Sequence, residues 1–315
     1  MLKIHFINVA EGDAILLQQL DGNTELNILV DTGRADLQPC PESLRISAAE
    51  YLAAAHIRHL DALILTHLHI DHAGGLENVI QQVTVDRIFS SYFPKNAALR
   101  ATEEPHSEHH IAEVITDLNR FSGNLQILAN QGCSFHQVLH DAVILQNQQI
   151  TVRLLCAEHE SVNIQNLIYD SILCNEALPA DIKKWSADVR NMNSLRVIIE
   201  YAAKRIELDG DYNNDDWEKQ EILPCDILKV SHHGDIKALT DHIAGRLHPR
   251  YAVISCQNEY VANKDRPSQR TIALLRKYGA TVYYTDNYAE KGRKPIYWRA
   301  ACFLVEPDGT IICPV

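Results

Sequence analysis

The chain predicts an α/β fold in one large domain, and three observations carry that expectation. Its first thirty residues alternate apolar runs with turn signals, the pattern of an antiparallel meander. Farther on, short apolar runs alternate with stretches of helical length, as when helices are laid against strands. At 315 residues with 46% apolar side chains, there is enough material for a sizeable core.

Taken in order, Leu2 to Val9 and Ala14 to Leu20 read as strands, and Asp21-Gly22-Asn23 as the turn before a third strand, Leu26 to Val30. Ser43 is placed to cap a helix running through Ala55, with strand Ala62 to Leu65 after it. Gly74 to Gln82 leads to strand Val85 to Phe89, and helix Glu108 to Phe121 leads to strand Leu125 to Leu128. Later, Asp215 to Ile222 reads as helix, Ile227 to Val230 as strand and Lys237 to Leu247 as helix. Strand Tyr251 to Ile254, helix Ser268 to Tyr278 and strand Thr281 to Tyr284 follow, and paired strands close the chain around Pro307-Asp308-Gly309. Residues 90–124 and 160–190 fit the alternation least and read as insertions near the site, where loops carry specificity. The second reads either as a lid or as a surface helix pair.

Composition narrows the function classes. A formal charge of −12 argues against a generic nucleic-acid binder, which carries a basic footprint. No run of apolar residues is long enough to span a bilayer, and the start, Met1 to Phe6, is too short and interrupted for a signal peptide. Eight cysteines never fall at C-x-x-C spacing, so buried, reduced thiols in a cytoplasmic protein are expected.

Residues 66–72, Thr-His-Leu-His-Ile-Asp-His, follow the apolar run Leu63-Ile64-Leu65. A buried strand ending there delivers His67, His69, Asp71 and His72 into one loop, and Gly74-Gly75 let backbone approach closely. Imidazole with carboxylate suits zinc, manganese or iron. A solvated His-rich turn explains neither Asp71 among the histidines nor the paired glycines.

The run resembles the H-x-H-x-D-H signature of metallo-β-lactamase-fold hydrolases. Val30-Asp31-Thr32-Gly33 resembles the first motif of that family, Leu208-Asp209-Gly210-Asp211 the fourth, and Lys229-Val230-Ser231-His232-His233-Gly234 the fifth. Within the family the chain is most similar to the hydrolase domain of ComEC-type DNA-uptake proteins. That similarity rests on Phe6 to Ala14, an Asn-x-x-Ser-Leu block at Asn191 to Leu195, the Gly-Asp and the His-His-Gly. It covers residue 3 to about 286. The resemblance implies a four-layer αββα sandwich over residues 1–315 and two divalent metals, zinc first and manganese second. His67 and His69 would hold one metal and Asp71 and His72 the other, with Asp211 bridging and either His232 or His233 completing a site. A hydroxide held between the metals would be the nucleophile. Asp31 would orient a ligand histidine, so Asp31, Asp71 and Asp211 are the carboxylates expected to serve catalysis.

Two departures stand out. Where the third-motif His is expected, the chain has Cys156, with His159 just beyond, so that ligand is Cys156, His159 or neither. Where ComEC-like domains carry Gly-His-Pro after Asn263, the chain has Asp265-Arg266-Pro267; Arg266 either clamps a phosphate or caps the following helix. Asn191, Asn193 and Ser194 offer hydrogen bonds to substrate or serve as turn residues, and Lys264 is equally ambiguous. His106, His109 and His110 read as a surface patch. The function expected is hydrolysis of a phosphodiester in a nucleic acid or nucleotide. The alternatives are a thioester, lactone or lactam hydrolase with the same metals and a non-catalytic scaffold subunit. A separately encoded partner, such as an ATPase, would supply target recognition.

Overall fold

Alternation along the first strands decides which way each side chain faces, and the sheets follow from it. The computed structural model describes residues 1–21, 24–102, 108–213, 217, 220–257, 266–287 and 297–314. Strands β1 (Leu2–Ile7), β2 (Ile15–Asp21) and β3 (Thr24–Val30) form the expected antiparallel meander. Their residues Ile4, Phe6, Ile15, Leu17, Ile28 and Val30 enter one buried cluster, while Leu16 and Leu29 enter another. Such period-two alternation, buried on both sides, requires a layer against each face of the sheet.

Eight strands make the first sheet. Beyond β3 it continues with β5 (Ala62–Ile64), β7 (Arg87–Ser90) and β8 (Ser134–Gln137), all parallel; on the other side of β1 lie β16 (Ala300–Val305) and β17 (Ile311–Ile312), antiparallel. A short ladder joins β4 (His59–Leu60) to β6 (Thr84–Val85). Seven strands make the second sheet. Antiparallel β9 (Ala142–Gln146), β10 (Ile150–Leu155), β11 (Arg196–Tyr201) and β12 (Lys204–Leu208) lead to parallel β13 (Ile227–Lys229), β14 (Tyr251–Ile254) and β15 (Thr281–Tyr284). Val152, Leu154, Val197, Ile199, Ile206 and Leu208 meet the first sheet's inner residues in a shared core.

Helices cover the outer faces. On the first sheet lie α1 (Ala48–Ala54), α3 (Leu76–Gln82), α4 (His109–Asn130) and α5 (His159–Leu173), with the one-turn α2 (Ile70–Ala73) and α6 (Ala180–Asp188) nearer the site. On the second lie α7 (Asp241–Leu247) and α8 (Gln269–Lys277), capped by Thr240 and Ser268. The architecture is the four-layer αββα sandwich that the motifs imply.

Local expectations shifted in instructive places. The first helix starts later, with Ser47 and Glu50 in a reciprocal capping box, while Ser43 donates to the Asp286 carboxylate. Residues Leu125 to Leu128, expected as a strand, continue α4. Leu118, Phe121, Leu125 and Leu128 recur at helical spacing and are all buried, and that stripe outweighs the local β-like composition. The segment 160–190 is helical and packs on α4. Half of the helix expected at 215–222 falls outside the described residues, as do His106 and Lys264, and the described residues 220–222 are not helical.

Candidate metal centre

Both sheets send the loops at their strand ends to one place. After β5, the Thr66 N–H donates to Asp31 Oδ1 at 2.8 Å and its hydroxyl to Asp31 Oδ2 at 2.7 Å. That hydroxyl proton being spent, His67 Nδ1 at 3.1 Å donates to Thr66 Oγ1, and the lone pair of His67 lies on Nε2. Nε2 faces His69 Nδ1 at 2.8 Å. One turn on, His72 Nδ1 donates to Asp31 Oδ2 at 2.8 Å, so its Nε2 is likewise bare.

From the second sheet, Gly210 (φ +52°) turns the chain after β12 so that Asp211 enters between the histidines. A side chain at Gly210 would meet Thr66 at 2.9 Å. After β13, His232 and His233 both adopt left-handed backbone (φ 48° and 54°), which aims consecutive rings differently. His233 Nε2 lies 3.2 Å from Asp71 Oδ2 and 3.5 Å from Asp211 Oδ1. His232 Nε2 accepts from Asn191 Nδ2 at 3.2 Å and stands 3.7 Å from Asp211 Oδ2.

The ligand-type atoms therefore fall into two groups sharing Asp211. One comprises His67, His69 and Asp211, the other Asp71, His72, His233 and Asp211; within each group the atoms lie within 4.8 Å of one another. His72 Nε2 and Asp211 Oδ1 are 3.1 Å apart and buried, and neither has another hydrogen-bond partner. An imidazole nitrogen opposite a carboxylate oxygen holds a cation, either a proton or a metal in its place, and imidazole with carboxylate is a zinc or manganese donor set. The residues fit divalent metal.

Electrostatics agree. Burial pushes His67 well down and His69 down to about 3, with the neighbouring Arg190 charge adding to the effect on His69, so both rings are neutral and ligand-ready. Burial also opposes charge on His72, but Asp211, Asp31 and Asp71 together lift it well above the usual range. Burial would raise Asp71 and Asp211, yet the surrounding histidines hold both well below ordinary carboxylates. A metal would replace the proton that these carboxylates attract.

Beneath this cluster lies a layer the sequence did not flag. Lys229, fully buried, pairs with the Asp13 carboxylate and donates to the Gly210 carbonyl at 2.9 Å. Asp13 Oδ2 stands 3.7 Å from His72 Nδ1, and Asp13 Oδ1 stands 4.0 Å from His233 Nδ1. A lysine inside the apolar strand Ile227-Leu228-Lys229-Val230 was the available signal, since a buried ammonium requires a carboxylate partner.

Other expected residues land elsewhere. Cys156 is buried, its thiol donates to the Val138 carbonyl, and burial pushes it up to about 11; it belongs to neither group. His159 starts α5, with one ring nitrogen at 2.9 Å from the Leu139 carbonyl and the other at 2.8 Å from Asn163, also outside the groups. Asn193 is buried against Gln165 and Ser161. Ser194, fully buried, lies behind His67 at 3.2 Å and accepts from the Asp211 N–H at 3.4 Å, so it braces these two residues and does not line the cleft. Arg266 is no helix cap, since Ser268 caps α8. It lies at the rim of a cleft of about 470 Å³, held by Glu11 and Asp235 at 3.2 Å each. Arg34, Asn191 and His232 line the same cleft, and the α4 residues His109, Glu113 and Thr116 form one wall.

Residues 8–88, which hold Asp31 and the His67–His72 run, match the Metallo-beta-lactamase superfamily. The chain carries a metallo-beta-lactamase superfamily domain. Two relatives extend the likeness. ComE operon protein 3 of Bacillus subtilis is 25% identical over 299 residues, which is 90% of this chain and 32% of that protein. Beta-lactamase-like protein 2 homolog of Caenorhabditis elegans is 25% identical over 149 residues, 47% of this chain and 46% of that protein. The chain thus spans about a third and under half of these relatives. Among solved structures, the metallo-beta-lactamase fold protein YhfI of Bacillus subtilis superposes with a TM-score of 0.48 at 13% identity, covering 90% of this chain and 95% of that one. No helix among the described residues is long and apolar enough to cross a membrane. The matched residues and the donor groups together give a metallo-beta-lactamase fold with a candidate metal centre at its strand ends.

Proposed function

We propose that the chain hydrolyses phosphodiesters with two divalent metals, zinc before manganese, as one domain over residues 1–315. The observation that carries this reading is the cleft, which combines the Asp211-sharing donor groups with the guanidiniums of Arg34 and Arg266. Only Ile70 and Ala112 among its lining residues are apolar, whereas ester-type substrates favour apolar pockets. A volume near 470 Å³ suits a nucleotide-sized group, and the charge of −12 gives no long basic track for a polymer.

His67, His69, Asp71, His72, Asp211 and His233 would hold the metals, which when bound polarise a phosphoryl oxygen and acidify water. Asp31 keeps a proton at His72 Nδ1 and, through Thr66, another at His67 Nδ1, fixing the tautomers that present Nε2. Arg266, anchored by Glu11 and Asp235, presents a fixed positive charge to a phosphate oxygen. Asn191 donates to His232 Nε2, which leaves the proton of that ring at Nδ1. Eight free thiols suit the cytoplasm.

The test is turnover of bis-p-nitrophenyl phosphate against a thioester and a lactone, with metal supplied. The diester should be the best substrate, and Arg266→Ala should lower its kcat/KM by about 10–100-fold, the range for a charged hydrogen bond. Faster thioester or lactone hydrolysis, unchanged by Arg266→Ala, would contradict the assignment.

A further inference from the structure

Arg190 lies outside every motif of the sequence, yet it is buried at the junction of three elements. Its Nη2 donates to the Leu68 carbonyl at 2.9 Å and to Asp117 Oδ2 at 2.5 Å. Leu68 is the residue between His67 and His69. Asp117 belongs to α4, where it also accepts from Arg120 at 3.2 Å and reaches the cleft. One guanidinium nitrogen thus joins the peptide between two ligand histidines to the helix that walls the cleft. The Leu68 carbonyl sits at the irregular turn between β5 and α2, where no strand or helix bond fixes it.

We propose that Arg190 is a positioning residue. It fixes the peptide between His67 and His69, and hence the approach of their two facing nitrogens, and it couples that spacing to the seat of α4. The inference rests on the reading that His67 and His69 share a metal. A planar guanidinium can serve a carbonyl and a carboxylate together, and its charge is neutralised by Asp117, so it can sit near a metal at low cost. A lysine at the same place keeps the charge but gives up the fixed fork.

The test is Co²⁺ titration of the metal-free full chain, read by visible absorption, which reports ligand geometry apart from turnover. In Arg190→Lys, one of two binding steps should weaken by about 10-fold or more, with its bands shifted and the other step unchanged. Asp117→Asn keeps the bond to Leu68 and loses only the charge partner, so the same step should weaken less, by about 3-fold. A lower melting temperature with wild-type titrations in both variants would overturn the proposal and leave Arg190 as a structural tie. A wild type that takes up no Co²⁺ would instead remove the metal reading itself, and the proposal with it.

Discussion

In the first sheet the antiparallel and parallel halves meet at β3 and β5, and in the second at β12 and β13. Each sheet offers a carboxylate after the earlier strand, Asp31 or Asp211, and imidazoles after the later one. Ligand sites favour such switch points, where the carboxyl ends of strands open a crevice. The two carboxylates nonetheless end in different places. Asp31 directly follows Val30, and its N–H still donates to Ile64 at 2.8 Å, so the side chain stays within the sheet behind His72. Asp211 stands beyond Asp209 and the left-handed Gly210, and that extra reach carries it between the two histidine groups. One framework yields a holder and a shared donor through a difference of two residues of loop.

The largest expected effect breaks that comparison directly. Asp211→Ala should lower diester turnover by about 1,000-fold or more, because it strips oxygen from both donor groups. Asp31→Ala should cost metal affinity by about 10–100-fold, the loss of a tautomer-fixing partner. Equal losses measured side by side would erase the distinction between the two carboxylates. The next effect separates adjacent residues. His233→Ala should lose one equivalent of metal by elemental analysis, whereas His232→Ala should keep both and lose about 10–100-fold in kcat. The reverse pattern would exchange their roles.

Much of this was legible in the chain. The H-x-H-x-D-H run, the meander and the strands flanking each motif are local signals, and local signals survive in sequence. The choice between His232 and His233 was not legible, because it depends on two left-handed residues that no periodicity announces. Lys229 and Asp13 were missed because their pairing joins the end of β13 to a loop remote in sequence. For Ser194 the sequence leaves open a substrate contact and a turn role; the Ser194 N–H closes a turn onto the Asn191 carbonyl at 3.1 Å, which puts Asn191 at the cleft and Ser194 behind His67. Arg190 escaped notice because a lone arginine in a helical segment is usually solvated.

Smaller effects sharpen the contrast between the sheets away from the centre. In the first sheet, burial pushes His5 down to about 4, with Lys3 adding to the shift. The unfolded chain therefore binds more protons between about pH 6.5 and 4, and stability rises with pH there. The contribution is complete above the unfolded pKa and is lost as pH falls toward the folded one, about 3 kcal/mol in all. Denaturant melts of the metal-free protein should show this slope, and His5→Gln should flatten it. In the second sheet, Ala202 and Ala203 turn β11 into β12 with φ of 50° and 58°, a left-handed pair without glycine. Ala203→Gly should stabilise the protein by about 1 kcal/mol, since glycine relieves the Cβ clash; a loss of stability would show that the turn is not strained.

The sharing of Asp211 is tested most directly by anomalous diffraction at the zinc or manganese edge from crystals of the metal-loaded protein. Two peaks should flank Asp211, one beside His67 and His69, the other beside Asp71, His72 and His233. A single peak, or metal only at the exposed His109, His110 and Glu113 group on α4, would contradict a centre built jointly by the two sheets.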